Sequence, residues 1–161
     1  MRATEFDQEE FFRAIHASRA RALLIGRQAL IALGLPVMTV DYDFWLPADD
    51  ATAFNKALEP FDLIPNRSPD EARGVGRYVL ENDERVDVLV ARQITAVDGD
   101  IVIFDDVWSR REMVEAAPGV TIAIPSIADL IRTKRFGARP KDAEDIRMLE
   151  VLRSSRGSTH D

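Results

Sequence analysis

The chain has 161 residues, 46% of them hydrophobic, with 28 acidic against 21 basic side chains and a formal net charge of −7. That is enough for one domain with a real core and too little for two, and it excludes collagen-like, low-complexity and wholly disordered chains. The acidic total argues against bulk attraction to nucleic acid or an anionic membrane, and the absence of cysteine excludes disulfides, thiolate zinc sites and cysteine nucleophiles.

Met1 to Glu5 lead into acidic residues, so no signal peptide is expected. Asp7 to Arg21 place Phe11, Phe12, Ala14 and Ile15 among charges and predict an amphipathic helix that carries His16 on its surface. Ala22 to Ile25 read as a buried strand stopping at Gly26, and Arg27 to Leu33 as a helix closed by Gly34 with Pro36 beyond. The apolar stretch from Ala22 to Met38 is broken by Arg27 and Gln28 and falls short of a membrane span, so no membrane and a cytoplasmic location are expected. Thr39 to Leu46 predict the next strand, ended by Pro47, and Asp49 or Asp50 can cap a helix to about Leu58.

Phe61 to Pro65 suit a short edge strand, and the polar segment Asn66 to Gly76, with two glycines, reads as a loop. Arg77 to Leu80 and Arg85 to Val90 are strand-like, joined through Glu81-Asn82-Asp83-Glu84. Ile101 to Phe104 and Val120 to Ile124 are further strands, with an amphipathic turn or helix over Trp108 to Glu115 between them. Ser126 caps a helix to Phe136, and Pro140 starts the last one, through Leu152. The class is therefore α+β (mixed α/β), with one domain over residues 1–152 and a polar, frayed tail over 153–161 that holds the second histidine, His160.

The chemistry concentrates at Asp41-Tyr42-Asp43. Aspartate is depleted in strands, and period-2 geometry puts both carboxylates on one face, about 7 Å apart. At an effective dielectric near 20 two such charges repel by about 2 kcal/mol. A divalent cation would remove that penalty, since Mg²⁺ takes one or two carboxylates plus substrate phosphates. A solvent-facing strand edge with ordinary acids is the other reading of an isolated D-x-D. The surroundings strengthen the first. Gly26 ends a strand and opens a helix, where backbone N–H groups favour phosphate, and Asp87 stands in the otherwise apolar strand Arg85 to Val90. Three carboxylates on two strands beside such a turn suit two-metal phosphoryl or nucleotidyl transfer.

Gly26-Arg27, thirteen residues, Asp41-Tyr42-Asp43 and a later strand with Asp87 resemble the nucleotidyltransferase fold of the DNA polymerase β superfamily. The strings GRQALIALGLPVMTVDYDFWL and IPSIADLIRTKRFGARPKDAEDIRML are similar to its small bacterial branch, the abortive-infection toxin-like and minimal nucleotidyltransferases, so the resemblance spans about residues 22 to 150. It implies a mixed sheet flanked by helices, with C-terminal helices, and a Mg²⁺- or Mn²⁺-dependent enzyme acting on a nucleoside triphosphate. It also implies roles. Asp41 and Asp43 would hold the metal ions, and Asp87 would complete the metal site and help deprotonate the acceptor hydroxyl. Gly26 would admit the phosphates to the backbone, and Lys134 would meet the triphosphate. The family pattern has Gly or Ser after that glycine; here it is Arg27, which either supplies charge to the triphosphate or blocks its close approach.

Beside Lys134, Arg139 and Lys141 fall near the turn between the last two helices, and Asp142 and Asp145 fall in the first turns of the final helix, where complementing the dipole explains them. From Arg132 to Arg156 eight basic residues face four acids, a locally basic segment that suits either a phosphate backbone or a solvated helix face. Trp45, Trp108, Tyr42 and Tyr78 are base-stacking candidates, although aromatics on strands are more often core. The leading expectation is transfer of a nucleoside monophosphate to a hydroxyl of RNA (tRNA among them) or protein. The alternative is an inactive nucleotide- or partner-binding module of toxin–antitoxin type, and a third reading is a metal-dependent phosphohydrolase using the same acids.

Overall fold

A computed structural model describes residues 6–96, 98–135 and 139–158; the expectations for Met1 to Glu5, Phe136 and His160 lie outside them. Helix α1 (Gln8–Ser18) opens at Asp7, whose carboxylate accepts the Glu9 and Glu10 N–H groups, and it buries Phe11, Phe12 and Ile15. β1 (Leu23–Ile25) runs straight into α2 (Gly26–Ala32), and β2 (Asp41–Leu46) follows, starting at Asp41 rather than Thr39. A 3₁₀ turn, α3 (Ala51–Leu58) and a second 3₁₀ turn lead to β3 (Ile64–Pro65).

Residues 66–76 are not a continuous loop, because Pro69–Val75 form α4. Ser68 and Glu71 make a reciprocal capping box around Pro69 at the first helical position, and Gly76 ends the helix in the left-handed region. These local signals outweigh the polar, glycine-bearing composition.

β4 (Arg77–Glu81) and β5 (Arg85–Val90) form the expected hairpin. β6 (Gln93–Thr95) pairs with β7 (Ile101–Ile103), and α5 (Phe104–Ser109) follows. The segment expected to be helical as far as Glu115 instead turns into β8 (Glu112–Ala117), which pairs with β9 (Val120–Ile124) through an irregularity near Ala117. α6 (Ile127–Lys134) is capped by Ser126, and α7 (Pro140–Ser158) continues past Leu152, so residues 153–158 are helical.

Five strands form a mixed sheet in the order β1-β2-β5-β4-β3, in which β2 and β5 pair in parallel and the other neighbours antiparallel. The architecture is α+β, as expected. Even-numbered residues of the central strands (Tyr42, Phe44, Tyr78, Leu80, Val86, Val88) belong to the main core with Phe11, Phe54 and Leu58. The opposite face is divided along its length. Asp41 and Asp43 stand at one end, while Trp45, two residues on, is fully buried in a second cluster with Leu23, Val102 and Phe104 and donates its indole N–H to the Ala91 carbonyl. No helix among the described residues is long and apolar enough to cross a membrane.

Candidate functional site

The site begins at the β1–α2 junction. Gly26 has φ +68°, and a Cβ there would lie 2.5 Å from Asp43 Oδ2 and 3.1 Å from Asp43 Cβ. Only glycine fits both the left-handed backbone and this approach. Gly26→Ala is expected to cost roughly 1–3 kcal/mol and to displace Asp43, read as a lower Tm.

Register places the carboxylates. Ile25 pairs with Asp43, Asp43 with Asp87 and Asp87 with Val79, forming one cross-strand row on the site face. Asp41 pairs with Arg85 and Arg85 with Glu81, forming the next row. Partial burial, then the like charges of Asp87 and Asp41, push the Asp43 carboxyl above its ordinary pKa, and Lys134 and Arg139 draw it back in part. Asp87 is engaged by Arg85, with Nε and Nη2 each 3.1 Å from one carboxylate oxygen. As the side chains stand, no group of three or more His, Asp or Glu residues among those described is gathered to hold a metal ion. The donor set nonetheless suits a hard divalent cation: carboxylate oxygens on adjacent strands, with Asp43 raised by partial burial and then by its like-charged neighbours.

Gly26, Arg27, Asp41, Asp43, Asp87 and Lys134 all border one cleft of about 500 Å³. Its lining holds seven cationic side chains (Arg27, Arg67, Arg77, Arg85, Lys134, Arg139 and Lys141) against four acids (Asp41, Asp43, Asp87 and Asp142), so the cleft is locally positive in an acidic chain.

The cationic wall is held by acids behind it. Asp145 is fully buried and accepts Lys134 Nζ at 2.8 Å and Arg27 Nη2 and Nε at 3.1 and 3.3 Å. Burial pushes the Asp145 carboxyl up, but the hydrogen bonds from Lys134 and Arg27 outweigh it and hold the carboxyl below its ordinary range. Arg27 also donates to the Met38 carbonyl at 3.3 Å. Its charge therefore ties α2 to α7 instead of standing free over the cleft. Asp142 accepts the Arg139 backbone N–H at 3.1 Å and the Arg139 guanidinium at 3.0 Å. Dipole complementation describes this N-terminal cap and misses the larger part, the burial of Asp142 and Asp145 beside Lys134.

Within the basic segment Arg132 pairs with Asp100 and Asp129, and Arg156 with Glu112. Tyr42, Trp45 and Tyr78 are buried; Tyr78 still borders the cleft and donates to Asn55 Oδ1, while Trp108 stacks on Phe104. Exposed His16 makes a 3.0 Å hydrogen bond with the Thr121 carbonyl.

No protein-family model and no curated protein sequence matches the chain. Solved structures do. A candidate nucleotidyltransferase of Thermotoga maritima superposes with a TM-score of 0.58 at 14% identity, covering 94% of this chain and 91% of that one. The lincomycin-bound lincosamide adenylyltransferase LnuA gives 0.59 at 14% identity, with 91% and 98% covered. The antibiotic-resistance factor ANT(2″)-Ia, in complex with adenylyl-2″-tobramycin, gives 0.52 at 17%, with 96% and 97% covered. Each likeness spans nearly the whole of both chains. What this chain shares with all three is the nucleotidyltransferase fold.

Proposed function

We propose that the protein transfers a nucleoside monophosphate from a nucleoside triphosphate to an acceptor hydroxyl, with Mg²⁺ or Mn²⁺ as cofactor. The observation that carries this reading is the cross-strand pairing of Asp43 with Asp87 beside Asp41, against Gly26, in a cleft whose lining is otherwise cationic. Asp41 and Asp43 would hold the metal, and Asp87 would join them once its carboxylate is freed. Bound there, the ion would neutralise the triphosphate and the departing pyrophosphate.

The chain's own groups do the remainder. Gly26 lets the β1–α2 backbone close on Asp43 and so borders the phosphates at the floor of the cleft. Lys134, Arg139 and Lys141 give the wall positive charge, with Lys134 fixed in place by Asp145. Asp87 accepts the acceptor's hydroxyl proton as the new O–P bond forms and the bond to pyrophosphate breaks. The acceptor is a hydroxyl of RNA, such as tRNA, or of a protein; the structural neighbours that act on lincosamides and aminoglycosides add small hydroxylated molecules to that set.

The test is incubation of the purified chain with each of the four α-labelled triphosphates, Mg²⁺, and tRNA, cell lysate or a hydroxyl-rich small molecule. Label moves to one acceptor class. Absence of transfer from all four nucleotides overturns the reading, and release of free nucleotide without an adduct assigns hydrolysis instead.

A second reading has its own observation. Asp87 is occupied by Arg85, and Arg27 replaces the small residue of the family pattern. An inactive domain that binds nucleotide would give Mg·nucleotide heats in calorimetry without transfer, and a module that binds only a toxin or antitoxin partner would give no nucleotide heats.

A further inference from the structure

Arg85 is the one cation on the carboxylate face of the β2–β5 pair. In its cross-strand row it stands between Asp41 on β2 and Glu81 on β4, and Asp87 follows two residues on, on the same face. Its guanidinium spans both oxygens of Asp87, with Nε to Oδ2 and Nη2 to Oδ1 each at 3.1 Å, and Nη1 lies 3.7 Å from Glu81 Oε2. The fork therefore hydrogen-bonds both oxygens of Asp87 and adds a longer ion-pair contact to Glu81. A divalent cation ligated by Asp87 needs one of the oxygens that Arg85 now holds. The two cations compete for the same carboxylate.

Arg85 is also free to leave. Its side chain is 48% exposed, and its hydrogen bonds run only to a neighbour on its own strand. Swinging the side chain away breaks no backbone pairing, since the strand pairs of β5 run through main-chain groups. Arg27 and Lys134, by contrast, are tied to Asp145 behind the cleft wall, and Arg139 to Asp142, neither of which is a candidate metal ligand. Among the described residues, Arg85 alone hydrogen-bonds a carboxylate of the proposed metal site through its side chain.

We infer that Arg85 is a resident counter-cation of the site, an internal competitor that holds Asp87 until a divalent cation displaces it, after which its charge is available to the polyphosphate that arrives with the metal. This inference rests on the nucleotidyl-transfer reading of the same site. It assigns Arg85 a role that spacing and resemblance do not mark, and it accounts for three carboxylates lining one cleft without being gathered as a ligand shell.

The experiment measures Mn²⁺ binding to the full chain without nucleotide, by loss of the free-ion electron paramagnetic resonance signal. Wild type is compared with Arg85→Gln, Arg85→Lys and Asp43→Asn. Removing the competitor tightens Mn²⁺ binding roughly two- to fivefold in Arg85→Gln, the range expected for losing a half-exposed ion pair. Arg85→Lys falls between, since an ammonium cannot span both oxygens, and it carries the comparison if Arg85→Gln does not fold. Asp43→Asn binds more weakly than wild type. Binding to the Arg85 variants that equals or falls below wild type, with Asp43→Asn still weakened, overturns the competition and leaves nucleotidyl transfer standing. Absence of Mn²⁺ binding in every form overturns both.

Discussion

Asp43→Asn lowers nucleotidyl transfer by about a thousandfold or more, equivalent to roughly 4 kcal/mol of lost transition-state stabilisation, while Tm stays level or rises. The two halves of this result have one cause. Asp43 is the most crowded of the three carboxylates, partly buried and beside both Asp87 and Asp41, so its charged form is disfavoured in the resting protein. An amide of the same shape removes that repulsion and fills the same space against Gly26. It also removes the charge with which the site would hold a cation. Transfer assays and thermal melts on one preparation check the pair of outcomes. Loss of activity accompanied by a marked fall in Tm would make Asp43 a structural residue, and unchanged transfer would remove it from the catalytic set.

Asp145→Ala is expected to destabilise the fold by about 3–5 kcal/mol, the usual consequence of removing one partner from a buried ion pair. Asp145 is fully buried, and its loss leaves Lys134 enclosed with only Asp142 nearby, at 3.8 Å, and Arg27 without its carboxylate. For a domain of this size the change corresponds to a drop in Tm of roughly 10 °C or more. The pH dependence has a definite sign. Because the folded carboxyl is held below its ordinary value, its contribution is fully present above the unfolded pKa of about 4 and is lost as pH falls through the lower folded value. Wild-type and variant stabilities measured by denaturant titration therefore converge below about pH 4 and differ most near neutrality. A constant difference across that window would show that the packing of Asp145 matters and its charge does not.

The anionic half of the site is legible in the sequence because it obeys a local rule. Two aspartates at period 2, a third in an apolar strand and a glycine at a strand–helix junction are each locally conspicuous; the register of β2 on β5 brings the aspartates together, and the pairing of β1 with β2 adds Gly26. The same period-2 rule puts Arg85 on the face of Asp87, and reading it there requires knowing that β5 pairs with β2. Asp142 and Asp145 look like ordinary first-turn acids because nothing local distinguishes them. Their burial follows from Lys134 on α6 and from Arg27, 118 residues away from Asp145. Helix α4 is hidden by composition, although Ser68-Pro69-Asp70-Glu71 contains its capping signal in full. β8 has no fully buried residue and only Val114 and Ala117 packed against the main core, so its inward face is too weak to show in the sequence and its pairing with β9 carries the strand.

The division between β2–β5 and the helix termini has a consequence for how such a domain can change. The carboxylates ride on strands that have neighbours on both sides, in the interior of a five-stranded order. Their backbone opens only when the whole sheet opens. Lys134 and Arg139 sit instead where α6 ends and α7 begins, held by side-chain ion pairs. The floor of the cleft is thus mechanically fixed and its wall is adjustable. Substitutions at the exposed part of the wall, such as Arg139, can alter its charge while the floor keeps its geometry, and a fold built this way can retain its framework where little else of the sequence remains in common.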